Sequence, residues 1–128
     1  MFDRILRIAL ACGLAIDAFV GLLALFAQPL IEPILDIPVK DPALTTIYGG
    51  ALLVIVGIYA LALRDPVRWR PLLWLCALDQ FLGVLLPALE IARGHAPATA
   101  KTLGPIPFQL ALVAMYLTGA ARKQASNR

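Results

Sequence analysis

The chain has 128 residues, of which 61% are hydrophobic and 15% charged, with a mean hydropathy of +0.85. Soluble domains carry roughly 45–50% apolar residues; a soluble fold this small could not bury what this composition offers, so lipid is the expected solvent. The net charge of +3 reads as a topology signal and not as a nucleic-acid footprint, because membrane proteins carry basic residues beside their spans.

At roughly 20 residues per membrane-spanning helix, the length allows four. The expected fold class is all-α: an integral-membrane, antiparallel four-transmembrane-helix bundle in one domain over residues 1–128. The first span is expected over residues 5–27. Arg4 and Arg7 ahead of an apolar run look like a signal peptide, but the run reaches Ala27 and no A-x-A site closes it, so it is read as a retained helix. The loop "QPLIEPILDIPVKDP" follows, with prolines at 29, 33, 38 and 42 that prevent a long helix. Its apolar residues suit a connector at headgroup level or a lid over a cavity between the helices.

The second span is expected over residues 43–63, with Asp41 as its N-cap and Pro42 at the first helical position, where the missing N–H costs nothing. The same Asp-Pro device recurs at Asp65 and Pro66 before a third span over residues 71–92. The fourth and shortest, over residues 105–122, has Pro105 or Pro107 at its head. Eight of the eleven basic residues (Arg4, Arg7, Arg64, Arg68, Arg70, Arg122, Lys123 and Arg128) fall at the termini or between the second and third spans. Lys40, Arg93 and Lys101 fall in the other two loops. With an even number of spans, this distribution places both termini on the cytoplasmic side.

Polar residues within the apolar segments are the candidates for function. Asp17 and Asp79 lie at comparable depth, about twelve and eight residues into their spans. A charged side chain there costs at least ~2.5 kcal/mol, so both must face the bundle interior, with no Lys or Arg at their depth in the spans to pair with them. Gln80, Gln109, the tyrosines or the other carboxyl are the expected partners. Tyr48 and Tyr116 are placed with Asp17, Asp79, Gln80 and Gln109 as ligand-binding or interhelical polar residues. Tyr59, Trp69 and Trp74 are read as aromatic-belt residues. Gly13, Asp17 and Gly21 recur every four residues and share one helix face, a spacing of small residues that lets helices approach closely. Gly50, Gly57 and Gly83 are read as packing glycines too. Cys76, Asp79, Gly83, Pro87 and Glu90 form a second stripe, expected to turn inward. Pro87 has no N–H for the carbonyl of Gly83 and should kink the third span.

The one histidine, His95, lies in a loop, so a site with several histidine ligands is not expected. Cys12 and Cys76 fall in apolar runs and read as small hydrophobes, not a disulfide. No cofactor or metal is expected, and the absence of nucleophile-base sets, phosphate loops and CxxC pairs favours a non-enzymatic reading.

Taken whole, the opening "RILRIALACGLAIDAFVGLLALF", the proline-broken loop and "IYGGALLVIVGIYALALRDPVRWRPLLWL" resemble small four-helix bacterial membrane proteins of the DoxX-like and BphX-like kind. The resemblance implies an inner-membrane protein, often associated with oxidoreductase or catabolic operons, and carries over no catalytic residue. The first functional expectation is an accessory or scaffolding subunit of a larger membrane complex, with the bilayer and other membrane subunits or a second copy as partners. The second is a binder of a small apolar ligand (a quinone, lipid or aromatic compound) in a cavity near Asp17 and Asp79. A proton-coupled carrier ranks third, because no internal repeat is evident.

Overall fold

In the computed structural model, which describes residues 1–122, all the regular elements are helices. They are α1 (Phe2–Phe26), a 3-10 turn (Gln28–Leu30), α2 (Ile31–Leu35), α3 (Pro42–Arg64), α4 (Leu72–Ala92), α5 (Ala100–Leu103) and α6 (Pro105–Ala121). Four helices are long and apolar enough to cross a membrane: Phe2–Phe26, Pro42–Arg64, Leu72–Ala92 and Ala100–Ala121, the last formed by α5 and α6 together. Lys123 and Arg128, two of the basic residues used for orientation, lie outside the described residues.

Local chemistry sets the boundaries. Asp41 Oδ1 accepts from the backbone N–H groups of Ala43 at 2.9 Å and Leu44 at 3.1 Å. With Pro42 at the first helical position, this satisfies donors that a helix start leaves free. The fourth helix begins five residues before Pro105. Thr99 caps it: its backbone N–H donates to Thr102 Oγ1 at 2.9 Å, and its side chain accepts from the Thr102 N–H. Gly104 keeps helical angles, φ −57° and ψ −41°, so the chain runs on into α6. Asp65 does not start a helix. It ends α3, and its carboxylate accepts from the Arg68 N–H at 3.0 Å, capping a stretch of turns that delays α4 to Leu72.

α1 packs chiefly on α3, and α4 chiefly on α6. Glycine makes the first of these contacts close: a Cβ on Gly49 would lie 2.9 Å from the Gly21 carbonyl oxygen and 2.8 Å from Ala24 Cβ. Gly13 faces Tyr59 and Tyr116, and Gly83 faces the Gln109 amide. Gly50 and Gly57 correct the sequence reading. Nothing lies within 4 Å of a Cβ on either, because both sit on faces of α3 turned away from the other helices, and Gly49 is the packing glycine instead.

At one end, arginines satisfy carbonyls that helix C-termini leave free. Arg7 Nη1 donates to the Leu63 carbonyl at 2.9 Å and Arg70 Nε to the Ala120 carbonyl at 2.8 Å. The main core fills this half, with Leu10, Tyr59, Cys76 and Tyr116 fully buried. Tyr59 therefore is no belt residue. Its ring meets that of Tyr116 edge-on at 5.9 Å between centroids, and only the tryptophan Trp74, 56% exposed, keeps a belt-like outward position on α4. At the other end, Gln28 reaches from the end of α1 to Thr46 Oγ1 at 2.9 Å and the Pro42 carbonyl at 3.0 Å. A smaller cluster of Leu23, Ala24 and Ile31 packs there, and between it and the main core the interior opens.

Candidate functional site: a cavity with a polar floor

The opening is a cleft of about 390 Å³ bounded by α1, α3, α4, the loop after α2 and the start of the fourth helix, open at the side where Phe19, Leu86 and Phe108 are about half exposed. Its walls are apolar: Ile16, Phe19, Val20, Leu52, Ile55, Leu82, Leu86, Pro87 and Phe108. Asp17, Tyr48, Asp79, Gln80 and Gln109, five of the six polar residues singled out in the sequence, line the same space. Tyr116 does not. One turn of α1 separates it from the floor, and its hydroxyl donates to the Ala9 carbonyl at 2.6 Å as a buried interhelical tie.

Tyr59 organises the floor. Its hydroxyl donates to Asp79 Oδ2 at 3.1 Å, lies 3.1 Å from the Cys76 carbonyl oxygen, and accepts from Gln80 Nε2 at 3.0 Å. Gln80 Nε2 also lies 3.1 Å from Asp79 Oδ2. The interhelical partner of Asp79 is thus a tyrosine. Asp17 lies against both Asp79 and Gln80 and is 5% exposed, while Gln80 is 1% exposed. One oxygen of each is left over: Asp17 Oδ2 and Gln80 Oε1 are buried with no hydrogen-bond partner among the described residues. A buried acceptor left without a donor costs about 1–3 kcal/mol, and two side by side mark a place where the fold gives up stability. Gln109 makes no hydrogen bond among the described residues, and its amide rests against the bare Cα of Gly83.

The roof is built from the two loops. Leu35, Ile37, Lys101 and Thr102 close the end of the cavity opposite the tyrosines. Lys101 Nζ donates to the Pro33 carbonyl at 2.8 Å and lies 3.5 Å from Asp36 Oδ1. Thr99 Oγ1 donates to Asp36 Oδ2 at 2.7 Å. Asp36 holds a left-handed conformation, φ 55°, at the end of α2, which a short polar side chain tolerates better than most. A second hollow of about 280 Å³ shares Val20, Leu35, Ile37 and Tyr48 with the first, so these residues stand between the cavity and the outer face of α3.

Comparison with family models, with curated proteins and with solved structures finds no match to this chain. The arrangement therefore speaks through its own chemistry: apolar walls, a floor of acceptors, and a roof tied by hydrogen bonds at the loop ends.

Sequence reasoning missed Phe19, Phe108, Lys101 and Thr102 as lining residues. Phe19 and Phe108 carry no signal separable from ordinary apolar helix positions. Lys101 and Thr102 were hidden because the fourth helix was started at Pro105; Thr99 and Thr102, three residues apart, were the available sign of an earlier start. The inward stripe on α4 holds for Cys76, Asp79, Gly83 and Pro87 and fails at Glu90, which reaches the surface and pairs with Arg93 at 3.4 Å and His95 at 3.1 Å. Among the described residues no three His, Cys, Asp or Glu side chains gather as metal ligands would.

Proposed function

We propose that this chain is a multi-pass membrane protein whose four long helices form an antiparallel bundle, and that the bundle binds a small, largely apolar molecule in its interior cavity. The carrying observation is the cavity itself. About 390 Å³ falls within the ~300–1,000 Å³ of small-molecule sites, and apolar walls with a few convergent polar groups are their usual make-up. Apolar walls around a few convergent polar groups favour ligand binding over the accessory-subunit role.

The membrane setting rests on the outward faces. Ile47, Val54 and Leu44 on α3 are 68%, 69% and 63% exposed, which suits lipid and not water. The concentration of arginines at the end holding the chain start supports a cytoplasmic position for that end, and the resemblance to DoxX-like proteins supports a bacterial inner membrane.

Native mass spectrometry of the protein released from nanodiscs prepared directly from the host membrane tests the reading. A bound non-phospholipid mass is expected on the wild type and lost in Ala51→Phe, which projects a ring from α3 into the cavity. The same masses retained on both proteins would contradict it, as would a wild type that carries none and is stabilised by no apolar compound.

A further inference from the structure

Resting on the reading of the cavity as a ligand site, the pattern of unmet hydrogen bonds narrows the chemistry of the occupant. The donors that the floor's neutral side chains supply, the Tyr59 hydroxyl and the Gln80 amide, are already committed to Asp79 Oδ2 and to one another. Asp17 Oδ2 and Gln80 Oε1 are buried without partners, and both hydrogen bonds made by the half-buried Asp79 fall on Oδ2. Two of the three residues are carboxylic acids, drawn from different helices and placed in contact. No Lys or Arg makes an ion pair with either among the described residues. Lys101, the cation among the lining residues, is held at the roof by Pro33 and Asp36 and does not reach the floor.

A hydroxyl brings a single hydrogen and cannot meet two orphaned acceptors. A carbonyl compound brings none, and would leave the acceptors unmet or set oxygen against oxygen. A protonated amine brings two or three N–H donors and a positive charge to a pair of carboxyls. Phe19, Tyr48 and Phe108 on the walls suit an apolar or aromatic body, and aromatic rings favour a cation near their faces. We infer that the cavity is a site for a lipophilic amine: a primary or secondary ammonium group seated on Asp17, Asp79 and Gln80, with an apolar body extending along Leu52, Leu86 and Phe108. Such molecules partition into bilayers with the charged group at headgroup level, near the roof of this cavity, and the floor offers that group its matching acceptors at depth.

The test compares three ligands of one shape in nanodiscs by isothermal titration calorimetry: para-hexylbenzylamine, its alcohol and its trimethylammonium analogue, with protein-free nanodiscs as the partition background. Charge-assisted hydrogen bonds separate the amine from the alcohol by about tenfold or more in Kd, and the trimethylammonium compound, which keeps the charge but has no N–H, should bind more weakly than the amine. Asp17→Asn, which keeps the size of the side chain, should reduce the amine preference to within about threefold of the alcohol, the direction expected when a charged partner becomes neutral. Retained helicity by circular dichroism shows that this variant folds. The inference falls if the alcohol binds as tightly as the amine, if the trimethylammonium compound does so, or if Asp17→Asn keeps the full preference. In the first two cases a small apolar molecule still binds and the binding role stands. If none of the three binds, both the amine and the cavity reading fail.

Discussion

Gly13→Ala adds one methyl group at the tightest point of the interior. A Cβ there would lie 2.5 Å from the Tyr116 hydroxyl oxygen, 2.6 Å from Tyr59 Cε1 and 2.9 Å from Tyr59 Cζ. Both tyrosines are fully buried and cannot swing aside, because each hydroxyl is tied across to a neighbouring helix. Either α1 moves away or the tyrosine ties stretch. Overpacking of this kind costs about 1–3 kcal/mol, and a lost interhelical hydrogen bond in a membrane adds ~0.6 kcal/mol on average. The intrinsic preference of helices for Ala over Gly returns roughly 0.8–1 kcal/mol. The expected net loss is about 1–2 kcal/mol. Gly57→Ala is the control: nothing lies within 4 Å of its Cβ, so only the propensity gain remains and the variant should equal or exceed the wild type. Equilibrium unfolding in mixed micelles with rising SDS, followed by far-ultraviolet circular dichroism, measures both. Equal midpoints for Gly13→Ala and Gly57→Ala would refute the reasoning.

Three further outcomes are expected. Asp79→Asn should unfold near the wild-type midpoint, because the amide still accepts from Tyr59, whereas Asp79→Leu removes the bonds to Oδ2, leaves Tyr59 only the Cys76 carbonyl and Gln80 Nε2 only the Tyr59 oxygen, and should lose about 0.5–1.5 kcal/mol; the same SDS titration decides, and a leucine variant as stable as the asparagine one would contradict the hydrogen-bond assignment. Lys101→Ala cuts the tie between Lys101 and the Pro33 carbonyl and, with the lysine side chain 52% exposed, should cost less than ~1 kcal/mol of stability while speeding ligand release in stopped-flow displacement; unchanged release would show that the roof does not gate the cavity. In intact cells an impermeant thiol reagent should label Pro97→Cys and spare Val67→Cys, each built on a background with Cys12 and Cys76 replaced by Ala; the reverse pattern would invert the topology.

Hydropathy and capping made the four helices legible in the sequence, and the strength of each signal sets how closely the ends agree. α3 starts at Pro42 because Asp41 and Pro42 act as the pattern requires. The same two residue types at 65 and 66 close a turn instead, since capping depends on where the chain goes next and not on the dipeptide alone. Pro105 and Pro107 read as a helix start and so shorten the expected fourth helix, although a proline is tolerated in the first turn of a segment that an earlier capped turn leads into. Within the membrane-length segments, the cost of burying carboxyls identifies Asp17 and Asp79, and the four-residue spacing of Gly13, Asp17 and Gly21 identifies a close-packing face, which the structure sets against α3. What spacing cannot give is rotation: Gly49 and Gly50 differ by 100° around α3 and have opposite surroundings. Tyr59 shows the same limit. Its position near the end of a span suited an outward belt residue, and only the turn of α3 against α4 makes it the hub that holds Asp79 and Gln80.

The central claim, that an apolar molecule occupies the cavity among α1, α3, α4 and the fourth helix, is tested most directly by photolabelling in nanodiscs with a diazirine-bearing alkylbenzene, followed by peptide mapping with and without excess unlabelled compound. Adducts should concentrate on Ile16, Leu52 and Pro87, which line the cavity from three different helices and are not exposed on the outer faces, and should disappear under competition. Adducts confined to the outward-facing Ile47, Val54 and Trp74, insensitive to competition, would mean that the compound meets the protein only from the lipid side and that the cavity binds nothing.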